Sequence, residues 1–162
     1  MEIRRLNNGD TDALMDIANY YILNTMSIWQ RDIRPRSFYE EYIAGHQDPY
    51  PAFAAVEDGV VVGYASLSPF RHVNGYDRIC ENSIYLKPEA TGKGYGKALM
   101  KKLIDEAVRL DHWALTAWID SENQYSIDFH KAFGFYETGV MRNIGNKGGK
   151  RLSVQILQLD IQ

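Results

Sequence analysis

The sequence predicts an α/β fold built on a mixed central sheet with helices on both faces. Three observations lead to it. Leu14, Ile17, Ala18, Tyr21 and Ile22 recur with the helical period, so the chain places an amphipathic helix early. "AFAAVEDGVVVGYASLSPF" (52–70) reads as two strands around Asp58-Gly59, a strong short hairpin signal. After the hairpin, strand-like and helix-like stretches alternate, which implies strand–helix–strand crossovers.

Taken in order, "MEIRRL" is a short strand, and Asp10 or Thr11 caps the helix that follows. Ser37 and Glu40 fit a capping box, opening a second helix that runs to about Gly45. The hairpin comes next, then "ICENSIYL" as a strand, and then a glycine-rich segment entering a helix that runs to about Leu110. "ALTAWI" is a strand and "NQYSIDFHKAF" a helix stopped by Gly134. "FYETGVM", a turn at "NKGGK" and "RLSVQILQLD" close the chain. The element order is β-α-α-β-β-β-α-β-α-β-β: antiparallel in its first half, with two crossovers after it.

The 162 residues suit one domain, spanning 1–162, with 45% hydrophobic and 24% charged side chains. A net charge of −3 gives no electrostatic pull toward nucleic acid or anionic membrane. Cys80 is the single cysteine, so an internal disulfide is excluded and a reducing compartment fits. "MEIRRLNNGD" lacks an apolar signal region, and no run approaches the ~18 apolar residues of a membrane span. The expected location is cytoplasmic. His46, His72, His112 and His130 show no metal-ligand spacing, and no metal is expected.

"TGKGYGKALMKKLIDEA" (91–107) carries Gly92, Gly94 and Gly96 immediately before a strong amphipathic helix. Unpaired amides at a helix start attract anions, and bare glycine backbone lets phosphate oxygens reach them. A Walker loop fails, because Lys97 is followed by Ala98 and no glycine sits at the required offset. The dinucleotide fingerprint fits poorly, since the third glycine comes one place early. A flexible loop ahead of a helix is the plainer alternative.

The segment resembles the pyrophosphate loop of the GCN5-related N-acetyltransferases (the GNAT fold), [Q/R]-x-x-G-x-[G/A], with Gly94 and Gly96 on the small positions. Thr91 stands where Gln or Arg is usual. The likeness extends to "SIWQ", "DGVVVGYASLSPFR", "ENSIYLKPEATGKGYGKALMKKLIDEA", "SENQYSIDFHKAFGF" and "KGGKRLSVQILQLD", which resemble the phosphinothricin and methionine sulfoximine acetyltransferase branch. The resemblance implies acetyl-CoA as co-substrate. It would lie between the "SIYL" and "ALTAW" strands, held by the backbone of Ile84, Tyr85 and Leu86 and by Gly92, Lys93, Gly94, Tyr95, Gly96 and Lys97. The Leu86 amide would serve as oxyanion donor. Asn123 would contact the pantetheine region, and its other role is a helix N-cap.

An amine must lose a proton before it attacks a thioester, and a carboxylate suits that task. Strand alternation puts Glu81 on one face with Ile79, Ser83 and Tyr85, where partial desolvation raises its pKa. Pairing of Glu81 with a lysine at a strand end is the competing reading; the resemblance makes it the base. Cys80 points to the opposite face and belongs to the core. His130 stands where many relatives have a thiolate-protonating tyrosine; binding an anionic substrate group, assisting thiolate departure and simple helix packing stay open. The resemblance also implies a substrate loop at Asn74, Gly75 and Tyr76 and a substrate border at Phe133. Arg71 for a carboxylate and Trp29 for an apolar wall are weaker pocket residues.

The expected activity is acetyl transfer to the primary amine of a small amino-acid-like acceptor, of phosphinothricin or methionine sulfoximine type. A protein N-terminus, a lysine or a polyamine is the alternative acceptor, and a non-catalytic acetyl-CoA sensor the alternative class. The expected assembly is a homodimer, with no nucleic-acid or membrane partner.

Overall fold

The computed structural model describes residues 1–161. Its strands are β1 (Glu2–Arg5), β2 (Ala52–Glu57), β3 (Val60–Pro69), β4 (Ile79–Leu86), β5 (Ala114–Asp120), β6 (Tyr136–Lys147) and β7 (Lys150–Asp160). Helices α1 (Thr11–Asn24) and α2 (Arg36–Gly45) precede β2, α3 (Tyr95–Arg109) joins β4 to β5, and α4 (Gln124–Lys131) follows β5. One seven-stranded sheet runs in the order β1-β2-β3-β4-β5-β7-β6.

The hairpin forms as the sequence predicts, because Asp58 (φ 50°) and Gly59 (φ 79°) both take the positive φ that a tight β2–β3 turn demands. β3 and β4 are antiparallel, and α3 carries the chain over to β5 parallel to β4. The second expected crossover forms too, with one strand between its two ends. The chain leaves β5 through α4 to reach β6, but β7 inserts between them, antiparallel to both. Hairpin pairing between β6 and β7 is local, so the returning strand fills the place next to β5.

Two helix starts also differ from expectation. α2 begins at Arg36 behind Pro35, whose extended backbone (φ −67°, ψ 158°) sets the entry. Ser37 makes no cap, and Glu40 accepts from Arg36 Nε at 3.0 Å. Asp10 precedes α1 without capping it. Its carboxylate instead takes both Arg4 guanidinium nitrogens at 2.8 Å and the Asn7 amide at 2.9 Å.

Two cores flank the sheet. α3 and α4 pack one face through Leu99, Met100, Leu103 and Ile127 onto Cys80, Leu115, Ala117 and Leu157. α1 and α2 cover the other through Leu14, Ile17, Tyr39 and Ile43 onto Ala54, Val56 and Tyr64. What positions the site is a split in the sheet. β4 and β5 pair only from Ile79↔Ala114 to Glu81↔Thr116; beyond that, β4 stays with β3 and β5 stays with β7. A wedge opens between them.

Candidate active site

The wedge is a cavity of about 350 Å³. Its β4 wall runs from Glu81 to Leu86 and its β5 wall from Ala117 to Asp120. The start of α3 closes one end, and α4 contributes Ser126, Phe129 and His130.

The pleat of β4 determines which backbone groups face the opening. Lys87 N–H donates to Val62 O at 2.8 Å, so that pair is hydrogen-bonded. Alternation along an antiparallel ladder then turns the polar groups of Leu86 and Ile84 away from β3 and into the wedge. The Leu86 carbonyl is met by Tyr21 Oη at 2.8 Å, and the Leu86 N–H faces the opening.

At the glycine-rich end, Gly92 (φ 81°) and Gly94 (φ 92°) adopt backbone that side-chain-bearing residues rarely take. Gly94 is the N-cap of α3 and makes no side-chain cap. The first hydrogen bond of the helix is Ala98 N–H to Gly94 O at 3.1 Å, so the amides of Tyr95, Gly96 and Lys97 remain free donors. The cavity is lined here by Thr91, Gly92, Gly94, Gly96 and Lys97. Two side chains of this segment lie away from the cavity lining. Lys93 lies 3.8 Å from the Glu57 carboxylate, and the Tyr95 side chain is buried in the core, leaving only its amide at the helix start.

Glu81 and His130 approach the wedge from opposite faces of the sheet. Glu81 lines the cavity on the α1–α2 side, and burial raises its carboxyl above the usual range while Arg71 opposes the rise. Cys80, one residue earlier, lies in the α3–α4 core, where burial pushes its thiol up to about 12. That alternation is the one expected from the sequence. His130 is 6% exposed, and burial pulls its imidazole below the ordinary value while a hydrogen bond to Ser126 O opposes this. Asn123 both lines the cavity and caps α4, its Oδ1 accepting from Ser126 N–H at 3.2 Å.

The expected acceptor residues are less completely assembled. Arg71 stacks over Phe70 (4.7 Å) and Trp118 (5.4 Å), close enough to Glu81 to influence its charge. Tyr76 packs edge-on to Phe70 at 5.4 Å, in a short turn with Asn74 and Gly75 that is exposed and outside the cavity lining. Phe133 packs against Phe129 at 5.3 Å and likewise lies outside the lining. Trp29 reaches the site indirectly: its Nε1–H donates to Asp120 Oδ2 at 3.2 Å. The sequence reading missed Asn82, Trp118, Asp120, Tyr21 and Phe129, all of which line the wedge. A signal existed for two of them: Asn82 is polar within an apolar strand, and Trp118 shares the alternation of Thr116. Among the described residues the buried Trp118 Nε1–H has no partner.

This arrangement offers a helix start with free amides, two facing strands with free backbone groups, and a half-buried carboxylate in one continuous space. The sequence model of the acetyltransferase (GNAT) family matches residues 14–135. L-amino acid N-acyltransferase MnaT of Escherichia coli (strain K12) is 36% identical over 99% of this chain and 94% of its own length. L-methionine sulfoximine/L-methionine sulfone acetyltransferase of Salmonella typhimurium is also 36% identical, over 99% and 95%. Among solved structures, a GNAT superfamily phosphinothricin acetyltransferase from Sinorhizobium meliloti in complex with AcCoA superposes with a TM-score of 0.94 at 30% identity, covering 98% of this chain and 87% of that one. The chain belongs to the acetyltransferase (GNAT) family, and it is an enzyme of the acyltransferase class.

Proposed function

We propose that the protein transfers an acetyl group from acetyl-CoA to the primary amine of a small amino-acid-like acceptor, of the methionine sulfoximine or phosphinothricin kind. The observation that carries this reading is the continuity of the wedge, which joins the free amides of α3 to Glu81 in one cavity. The names of the relatives support the acceptor class.

Bound acetyl-CoA would supply an activated acetyl thioester. The free amides of Tyr95, Gly96 and Lys97 suit its pyrophosphate, with the Lys97 ammonium nearby. The inward-facing groups of Ile84 and Leu86 would hold the pantetheine arm as an added strand would be held. The Leu86 N–H is the donor for the thioester carbonyl oxygen as it gains negative charge. Glu81 Oε takes the proton from the acceptor's ammonium, and its raised pKa brings it closer to that task. Arg71, stacked over Trp118, is the donor for the acceptor's anionic group. Lys93, already beside Glu57, is not needed. His130 stands on the other side of the thioester from Glu81.

We read residues 1–162 as one acetyltransferase unit, cytoplasmic and homodimeric. Val140, Met141 and Ile144, exposed along the edge strand β6, support a contact with a second copy. Sedimentation velocity checks the dimer. The reaction is tested by thiol release from acetyl-CoA across methionine sulfoximine, methionine sulfone, phosphinothricin, proteinogenic amino acids, spermidine and N-terminal peptides. Saturable release with an amino-acid analogue is expected, whereas release with the peptides or spermidine alone would replace the acceptor class.

A further inference from the structure

Asn82 and His130 form a hydrogen-bond chain whose two ends are backbone carbonyls. Asn82 Nδ2 donates to Thr116 O at 3.0 Å, the carbonyl of the last β5 residue paired with β4. Asn82 Oδ1 lies 3.0 Å from His130 Nε2, and His130 Nδ1 lies 2.7 Å from Ser126 O. A carbonyl oxygen only accepts. The Thr116 end therefore turns the Asn82 amide so that its NH₂ meets Thr116 and its oxygen meets His130. The Ser126 end requires a hydrogen on Nδ1. All three links are made together only if Nε2 carries a hydrogen as well, and the ring is then an imidazolium. In the neutral ring one link must fail: a lone pair faces an oxygen, or the amide turns over and sets its oxygen against Thr116 O.

We propose that Asn82 is a positioning residue that favours the doubly protonated form of His130 against its burial, so that the wedge keeps a positive wall on the face opposite Glu81 up to a higher pH than the buried ring alone would allow. Among the described residues, no charged side chain pairs with the ring. From β4, Cys80 stays a neutral thiol and Glu81 projects to the other face. From β5, Thr116 is uncharged, and Asp128 and Lys131 of α4 itself are exposed. α3 presents apolar residues apart from Lys97 at the helix start. Phe129 and Phe135 meet the imidazole nearly edge-to-face, with centroids 5.5 and 5.0 Å away. Burial favours the neutral ring, and the two oxygen acceptors oppose it. Under the acetyl-transfer reading, on which this role rests, the cation favours the negative charge that gathers on a departing sulfur. The charge is present below the midpoint of His130 and is lost as pH rises through it.

The test is an NMR titration of the histidine Cε1–H signals in the free protein, with His130 assigned by the signal absent from His130→Gln. In Asn82→Ala, His130 should titrate at lower pH, its acid dissociation constant increased by about tenfold. Water entering the vacated space would act in the opposite sense, so a fall identifies the lost acceptor. Asn82→Asp, a second variant in case the alanine protein does not fold, should move the midpoint up. A His130 midpoint that is unchanged or higher in Asn82→Ala, or unmoved in Asn82→Asp, overturns the proposal. The basic limb of kcat should follow the midpoint in both variants, and a limb that stays fixed removes the positive wall from the reaction. Failure of every acceptor alongside a shifted NMR midpoint would instead count against the acetyl-transfer reading and leave the role of Asn82 standing.

Discussion

Tyr21 and Leu86, 65 residues apart in sequence, are joined by a 2.8 Å hydrogen bond from the phenol to the strand carbonyl. The bond ties α1 to the last residue of β4, whose N–H faces the wedge. Tyr21 also packs on Tyr85 at 5.4 Å, so its ring is held from a second side. Burial keeps its hydroxyl protonated well into alkaline pH. Tyr21→Phe should therefore cost about 1 kcal/mol of stability, the usual worth of one such bond. It should lower kcat/KM by about tenfold through a displaced Leu86 amide, since small misplacements at a reacting centre are costly. Urea denaturation and steady-state kinetics measure the two effects, and a stability loss without a kinetic one would detach Leu86 from the chemistry.

In the proposed reaction Glu81 takes the acceptor's proton, and its environment sets the pH dependence. Its carboxyl is raised by burial and held back by Arg71, so activity should climb as pH rises through that raised value. Arg71→Leu removes the restraining charge and should move the acidic limb to higher pH. Glu81→Gln should lower kcat by ~10²-fold or more while acetyl-CoA binding persists. The folded pKa lies above the unfolded one, so ionised Glu81 weighs against folding above that range. Glu81→Gln should therefore be no less stable than the native protein at neutral pH. Calorimetric binding, thermal melts and pH–rate profiles check each part.

The glycines of the loop separate conformational from steric demands. Gly94 has φ 92° but open space where a Cβ would stand, the Met1 methyl being 3.8 Å away. Gly96 is helical, and a Cβ there would sit 3.6 Å from Leu86 and Phe129, an ordinary contact. Gly94→Ala should thus lose about 1–2 kcal/mol of stability from the left-handed backbone alone. Gly96→Ala should keep or gain stability, by up to about 1 kcal/mol as a better helix former. It should nevertheless weaken acetyl-CoA binding by narrowing the space between Leu86 and Phe129. Denaturation midpoints set against titration calorimetry would show the two losses falling on different variants.

Features with a local cause were legible in the sequence: the Asp58-Gly59 turn, the glycine-rich segment that enters α3, and the opposite facing of Cys80 and Glu81. The insertion of β7 beside β5 was not, because strand order across a sheet is a long-range choice that no local pattern records. The same applies to Asn82, Trp118 and Asp120. Alternation tells which face each occupies, but only the parting of β4 from β5 turns those faces into walls of one cavity. Ser37 and Glu40 matched a capping pattern, yet Pro35 set the helix to begin two residues earlier and Arg36 claimed Glu40.

Trp29 reaches the wedge through a loop hung on the far end of β6. Lys147, 8% exposed, donates from Nζ to Thr25 O at 2.7 Å and Ile28 O at 2.6 Å. Those bonds hold the segment after α1, which delivers Ser27 to the cavity and the Trp29 indole to Asp120. Gly145 leaves room for the indole: a Cβ there would lie 2.6 Å from the Trp29 ring and 3.1 Å from Leu152 Cβ, so the ring would have to move. Gly145→Ala should cost about 1–3 kcal/mol through overpacking and break the Trp29–Asp120 bond. Lys147→Met frees two carbonyls and should cost about 2 kcal/mol. Asp120 and Trp118 share the Glu81 side of the sheet, so both variants should raise the acceptor KM more than the acetyl-CoA KM. Amide exchange across residues 25–30 should quicken in both, and an equal rise in the two KM values would show that the loop serves the whole fold and not the acceptor side.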